Sequence, residues 1–267
     1  MSYNNVMLAF LLTIIAGLST GIGGLFVLIF RRTSAKLISI ALGFSAGVMI
    51  YVSFVEILAE AKEYLINSLG DVKGQWITIF AFFSGIAIIA IIDKLVPEPQ
   101  NPHESRKIEE AKYCINSNNS LMKTGIMTAI AIAIHNFPEG IATFISGMNN
   151  PSMGIAIAIA IAIHNIPEGI AVSVPVYCAT GSRKKALSMS LLSGLSEPIG
   201  ALVAFLLLLP IMNDTIFGII YAAVAGIMVF ISFDELLPSA REYGEHHLSI
   251  LGLIIGMFLM AISLIFV

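Results

Sequence analysis

Hydrophobic positions in this chain fall into eight long runs with little polar interruption, coarsely 5–30, 36–62, 74–96, 121–148, 153–180, 185–210, 214–238 and 247–267. A helix needs about 20 residues to cross a bilayer core, so every run is long enough. A transmembrane barrel would instead show alternating segments of about 10 residues. The expected architecture is an all-α integral membrane protein with eight transmembrane helices, folded as a single transmembrane domain over 1–267. The first run has no basic residues before it and ends in Arg31-Arg32, which predicts a retained helix rather than a leader. One long polar stretch, 97–120, carries Pro97, Pro99, Pro102 and His103 and reads as a cytoplasmic linker.

Basic residues set the expected orientation. Arg31, Arg32, Lys36, Lys94, Arg106, Lys107, Lys112, Lys123, Arg183, Lys184, Lys185 and Arg241 follow the odd-numbered runs, whereas only Lys62 and Lys73 lie on the other side. This places both termini outside the cytoplasm.

Polar residues inside the runs are few and patterned. The fourth run holds His135-Asn136-Phe137-Pro138-Glu139-Gly140, and the fifth holds His164-Asn165-Ile166-Pro167-Glu168-Gly169. His135 and Glu139, like His164 and Glu168, are four residues apart and share a helix face. Each proline removes a backbone hydrogen bond at the same place, which opens the helix where a site needs room. The sixth run adds Ser196-Glu197-Pro198. On the second run Met49, Ser53, Glu56 and Glu60 recur at helical spacing.

Some of these stretches repeat. Ala46-Gly-Val-Met-Ile-Tyr-Val-Ser-Phe-Val-Glu56-Ile-Leu58 matches Ala225-Gly-Ile-Met-Val-Phe-Ile-Ser-Phe-Asp-Glu235-Leu-Leu237, and Leu18-Ser-Thr-Gly-Ile-Gly23 matches Leu195-Ser-Glu-Pro-Ile-Gly200. Matched runs cross the membrane in opposite senses, so the first three correspond to the last three in inverted topology, with the central two exchanging (3+2+3). Secondary transporters are built this way and bind near the midplane where the repeats meet.

Composition narrows the chemistry. The chain is 57% hydrophobic and 12% charged, with a formal net charge of −3. Neither a basic surface for nucleic acid nor a GxxxxGK[ST] phosphate loop is present. Cys114 and Cys178 lie in different segments and form no CxxC pair, which argues against a thiolate site. Glu139, Glu168 and Glu197 would converge inside the membrane with no internal lysine or arginine to balance them. Metal, with protons exchanging for it, is the economical charge partner. Nitrogen and oxygen donors without sulfur suit Zn²⁺, Fe²⁺, Mn²⁺, Co²⁺ or Cd²⁺ better than Cu⁺ or Ca²⁺.

On the twin HNxPEG motifs, the SEP stretch at 196–198 and Ser232-Phe-Asp-Glu-Leu-Leu-Pro238, the chain resembles the ZIP family of divalent metal transporters, and within it the bacterial zinc importers. The resemblance extends over all eight runs. It implies a binuclear midmembrane site, with a zinc position on Glu139, His164 and Glu168 beside His135. Its iron-type position would use Asn136, Glu139, Asn165, Glu168 and Glu197. It also makes Met49 the counterpart of a methionine ligand of some relatives, although a buried methionine is more often core. Alternating access is implied too, the first, fourth, fifth and sixth helices moving against the second, third, seventh and eighth.

The expected function is therefore uptake of divalent metal into the cytoplasm. A metal-selective channel and an intramembrane metalloenzyme are the alternatives. The HExxH pairing of an intramembrane zinc protease is missing, because asparagine follows each histidine. The expected partners are divalent metal ions and the lipid bilayer, with a homodimer as an assembly to test and no nucleic acid. Zn²⁺, Fe²⁺ and similar cations are expected as cargo rather than as resident cofactors, and the location is the plasma (inner) membrane, multi-pass.

Overall fold

A computed structural model describes residues 3–29, 35–95, 119–243 and 246–265. Arg31, Arg32, His103 and Cys114 lie outside the described residues, as does most of the expected linker. The described residues contain no strand, and eight of their helices are long and apolar enough to cross a membrane. These are α1 (Tyr3–Ile29), α2 (35–69), α3 (Asp71–Leu95), α4 (Asn119–Asn149), α5 (Pro151–Thr180), α6 (183–211), α7 (214–243) and α8 (His246–Ser263). An all-α membrane protein with eight spans is therefore observed. The protein is a multi-pass membrane protein.

Local sequence sets the boundaries. The α4–α5 connection is tight because Asn150 caps α5, its side-chain oxygen accepting from the backbone of Ser152 at 3.2 Å and of Met153 at 3.4 Å, with Pro151 in the first turn. That hairpin turns the two HNxPEG copies antiparallel to each other. Gly181, at φ 62°, ends α5 in the left-handed conformation, and Ser182 then caps α6 through the Lys185 amide. Helix α2 extends to Leu69, beyond the expected end at 62. Ala61 and Leu65 are buried, and Leu65 packs at Gly218 of α7, so this amphipathic end has an apolar face to cover.

Three spans contain a π-turn, at Ser53–Ile57 of α2, Ala204–Leu208 of α6 and Ser232–Leu236 of α7. In α2 and α7 the wide turn is closed by the same pair of i→i+5 bonds, Leu58 N–H to Ser53 O and Leu237 N–H to Ser232 O. Both serines also donate to the carbonyl four residues back, Ser53 to Met49 O at 2.6 Å and Ser232 to Met228 O at 2.7 Å. The expected stripe of Met49, Ser53, Glu56 and Glu60 is interrupted here. Met49 and Ser53 are fully buried, whereas Glu56 within the wide turn and Glu60 beyond it are half-buried.

The packing obeys the inverted repeat. Helices α1, α4, α5 and α6 pack together, α2 packs on α8, and α3 on α7. The two groups meet where α2 lies on α5 and α4 on α7. A Cβ on Gly47 of α2 would strike the carbonyl of Leu253 on α8, and one on Gly226 of α7 would strike that of Phe82 on α3. Gly47 and Gly226 are equivalent in the repeat, so two close helix crossings are made by matched residues. Side-chain hydrogen bonds also join the groups at their matched interfaces. Ser45 of α2 donates to His164 O of α5 at 3.3 Å, and Tyr221 of α7 to Ala142 O of α4 at 3.2 Å.

Candidate metal centre

Six polar residues of the motifs are buried at the junction of α1, α4, α5 and α6. Asn136, Glu139, His164, Asn165, Glu168 and Glu197 are all fully buried. Pro138 and Pro167 lie inside α4 and α5 without breaking them. Pro198 stands in the first turn of an α6 segment that resumes at Ser196 after a break at Leu195. The side chain of His135 lies outside the described residues, as does that of Cys178.

Two contacts join side chains of the motifs on different helices. His164 Nε2 of α5 and Glu139 Oε2 of α4 are 3.3 Å apart. Two ligands on one tetrahedral zinc, with bonds of about 2.0–2.1 Å, stand about 3.3 Å apart as well. The pair is therefore spaced to share one ion. The second contact is between Asn165 of α5 and Glu197 of α6, the Asn165 amide donating to Glu197 Oε1. The same amide nitrogen donates to Ala16 O of α1 at 3.0 Å. With Nδ2 held by two acceptors, the Asn165 carbonyl oxygen is left as a donor for a ligand, and Asn165 ties α1, α5 and α6 together.

Several buried polar atoms have no hydrogen-bond partner among the described residues: Glu139 Oε1, Glu197 Oε2, Asn165 Oδ1 and both amide atoms of Asn136. Buried polar groups are normally bonded, so a cluster of open oxygens suits a cation. No lysine or arginine is buried among the described residues. Nor do three His, Cys, Asp or Glu side chains among them converge tightly enough to enclose one ion. What converges is pairs.

The remaining candidates separate from this cluster. Met49 is fully buried within the main apolar core. Asp234 is exposed and Glu235 half-buried, on the π-turn of α7. Sequence reasoning missed three residues that touch the site. Ser45 holds the His164 carbonyl, Ser190 donates to Thr20 O at 2.6 Å and Gly169 O at 3.3 Å, and Thr20 is itself fully buried. Serine and threonine on apolar helices carry little signal alone, but the Leu18–Gly23 and Leu195–Gly200 match sets Thr20 opposite Glu197.

The chain matches a family model described as ZIP zinc transporter over residues 93–264. It is 62% identical over 264 residues to a protein of Lysinibacillus sphaericus named zinc transporter ZupT, covering 98% of each chain. This chain belongs to the ZIP family. Further ZIP relatives bearing the same name come from Clostridium perfringens, 57% identical over 98% of this chain and 96% of the relative, and from Streptococcus mutans, 58% identical over 96% of each. In each case the similarity runs over nearly the full length of both chains. The family supports metal-cation transport rather than enzymatic turnover.

Proposed function

We propose that this ZIP protein is a carrier for uptake of divalent transition metal cations into the cytoplasm, zinc foremost, with iron, manganese, cobalt and cadmium also accepted. Its site is binuclear and uses His135, Asn136, Glu139, His164, Asn165, Glu168 and Glu197. The whole chain acts as one transport unit in the plasma (inner) membrane, with both termini outside the cytoplasm.

The observation that carries this reading is the burial of Glu139, Glu168 and Glu197 with no buried lysine or arginine among the described residues. Three carboxylates in a low-dielectric interior need protons or a cation, and a site that alternates between the two can load and release metal. Relatives named zinc transporters make zinc the first cargo to test. Neutral carboxamides and the absence of thiolate favour moderate affinity, which suits release. The 3.3 Å His164–Glu139 pair supplies one ligand edge for zinc, and Asn165 with Glu197 supplies oxygen donors for a second ion. Matched interfaces bridged by Ser45 and Tyr221 give the two helix groups a surface along which to move, which favours a carrier over a channel.

The test is zinc flux into proteoliposomes, with competing metals and with and without an imposed pH gradient. Saturable uptake at modest turnover supports the carrier. Conductance at channel rates contradicts it, and peptide cleavage without flux would establish a metalloenzyme.

A further inference from the structure

The inverted repeat extends to side chains around the metal centre, and it exposes one place where the two halves differ. A Cβ on Gly200 of α6 would strike Phe137 O of α4, and one on Gly23 of α1 would strike Ile166 O of α5. Likewise a Cβ on Gly140 of α4 would strike Glu197 O, and one on Gly169 of α5 would strike Thr20 O. Phe137 and Ile166, like Gly140 and Gly169, hold equivalent places in the HNxPEG copies. The backbone contacts therefore make Thr20 the counterpart of Glu197, as the sequence match also does. Glu197 reaches Asn165, so the counterpart pair is Thr20 with Asn136.

That second pair is open. Thr20 Oγ1 and both amide atoms of Asn136 are buried without a hydrogen-bond partner among the described residues. Buried threonine ordinarily bonds the carbonyl one turn back, as Thr78 does to Gly74 O at 2.8 Å. For Thr20 that acceptor is Ala16 O, which already receives Asn165 Nδ2 at 3.0 Å and Ser19 Oγ at 2.6 Å. Levels agree too. Ala9 packs at Gly147 where α1 meets α4; eleven residues on from Ala9 is Thr20, and eleven back from Gly147 is Asn136. A hydroxyl is two bonds shorter than a glutamate carboxylate, and Thr20 makes no hydrogen bond to Asn136 where Glu197 accepts one from Asn165.

We propose that Thr20 and Asn136 form a neutral oxygen-donor half of the metal centre, opposite the charged Glu197–Asn165 half, which holds the cargo ion with its remaining water. Hydroxyl, carboxamide and water oxygens suit hard cations such as Mn²⁺, whereas imidazole suits zinc. Thr20 thus widens the cargo range beyond zinc. The inference rests on the transport reading given above.

The test is zinc uptake by proteoliposomes of the full chain with Mn²⁺ as competitor, for wild type, Thr20→Val and Thr20→Ser. Valine keeps the shape packed against Gly194 and removes only the hydroxyl. Its inhibition constant for Mn²⁺ should rise about five-fold, the loss expected for one neutral oxygen partner, with the zinc KM changed less than about two-fold. Serine should restore wild-type inhibition. Should the valine variant not insert, Thr20→Ala against Thr20→Ser makes the same comparison. Unchanged Mn²⁺ inhibition overturns the proposal. So does equal loss for both metals, which would mark a packing role, and so does a wild type that Mn²⁺ fails to inhibit. Absence of zinc uptake by wild type would instead overturn the transport reading, and this one with it.

Discussion

Asn165 shows how much one neutral side chain organises. Its amide nitrogen spans Ala16 O and Glu197 Oε1, which fixes the carboxamide so that its oxygen points elsewhere. Asn165→Asp would place two carboxylates in contact and remove the tie to Ala16 O, which keeps the Ser19 hydroxyl as donor, at a cost of about 1–3 kcal/mol. The variant should melt lower than wild type without metal and gain more from added zinc, because a cation relieves the repulsion. Thermal unfolding in detergent, with and without zinc, checks this. For Glu197→Ala the expectation is altered iron or manganese handling with some zinc transport kept, read from metal competition during uptake. The seven site candidates were legible because His, Asn and Glu are rare in an apolar run, and the six whose side chains are described are buried. The bond from Asn165 to Ala16 was not, because a main-chain acceptor has no residue-type signature. Thr20 was hidden for a related reason, since a lone hydroxyl in a helix usually bonds its own backbone.

At the scale of elements, the spans were readable from apolar length alone, while the shape within them was not. Nothing in Ser53–Ile57 or Ser232–Leu236 announces a π-turn by composition. The repeated Ser-Phe-x-Glu wording shows only that whatever happens in one should happen in the other. The far end of α2 was also cut short, because Lys62 and Glu63 read as the edge of an apolar run, whereas Ala61 and Leu65 continue the buried face. The hydrogen bond from Tyr221 to Ala142 O at 3.2 Å joins α7 to α4 across the interface that a moving bundle would have to slide along. Removing it with Tyr221→Phe takes away about 1 kcal/mol, which shifts a two-state equilibrium roughly five-fold. Maximal zinc uptake should change by a factor of that order, in either direction, with metal affinity nearly constant. Initial rates over a range of zinc concentrations separate the two.

At the scale of the molecule, the inverted repeat was visible as three matched stretches, and the packing extends it to helix crossings and inter-group hydrogen bonds. Orientation rests on lysine and arginine placement. It predicts that a cysteine at Lys73, in a background with Cys114 and Cys178 replaced by serine, is labelled by an impermeant reagent added to intact cells, and that one at Arg183 is labelled only after the membrane is opened. The reverse pattern would invert the direction of transport. The central claim is that cargo metal is held between α4 and α5 by the HNxPEG residues, and it is tested most directly by zinc uptake into vesicles at matched protein levels for wild type, His164→Ala and Glu168→Ala. Saturable uptake is expected in wild type and at least about 100-fold less in either variant, since each removes a buried side chain assigned to hold the metal. Uptake at the wild-type rate in either variant would contradict it.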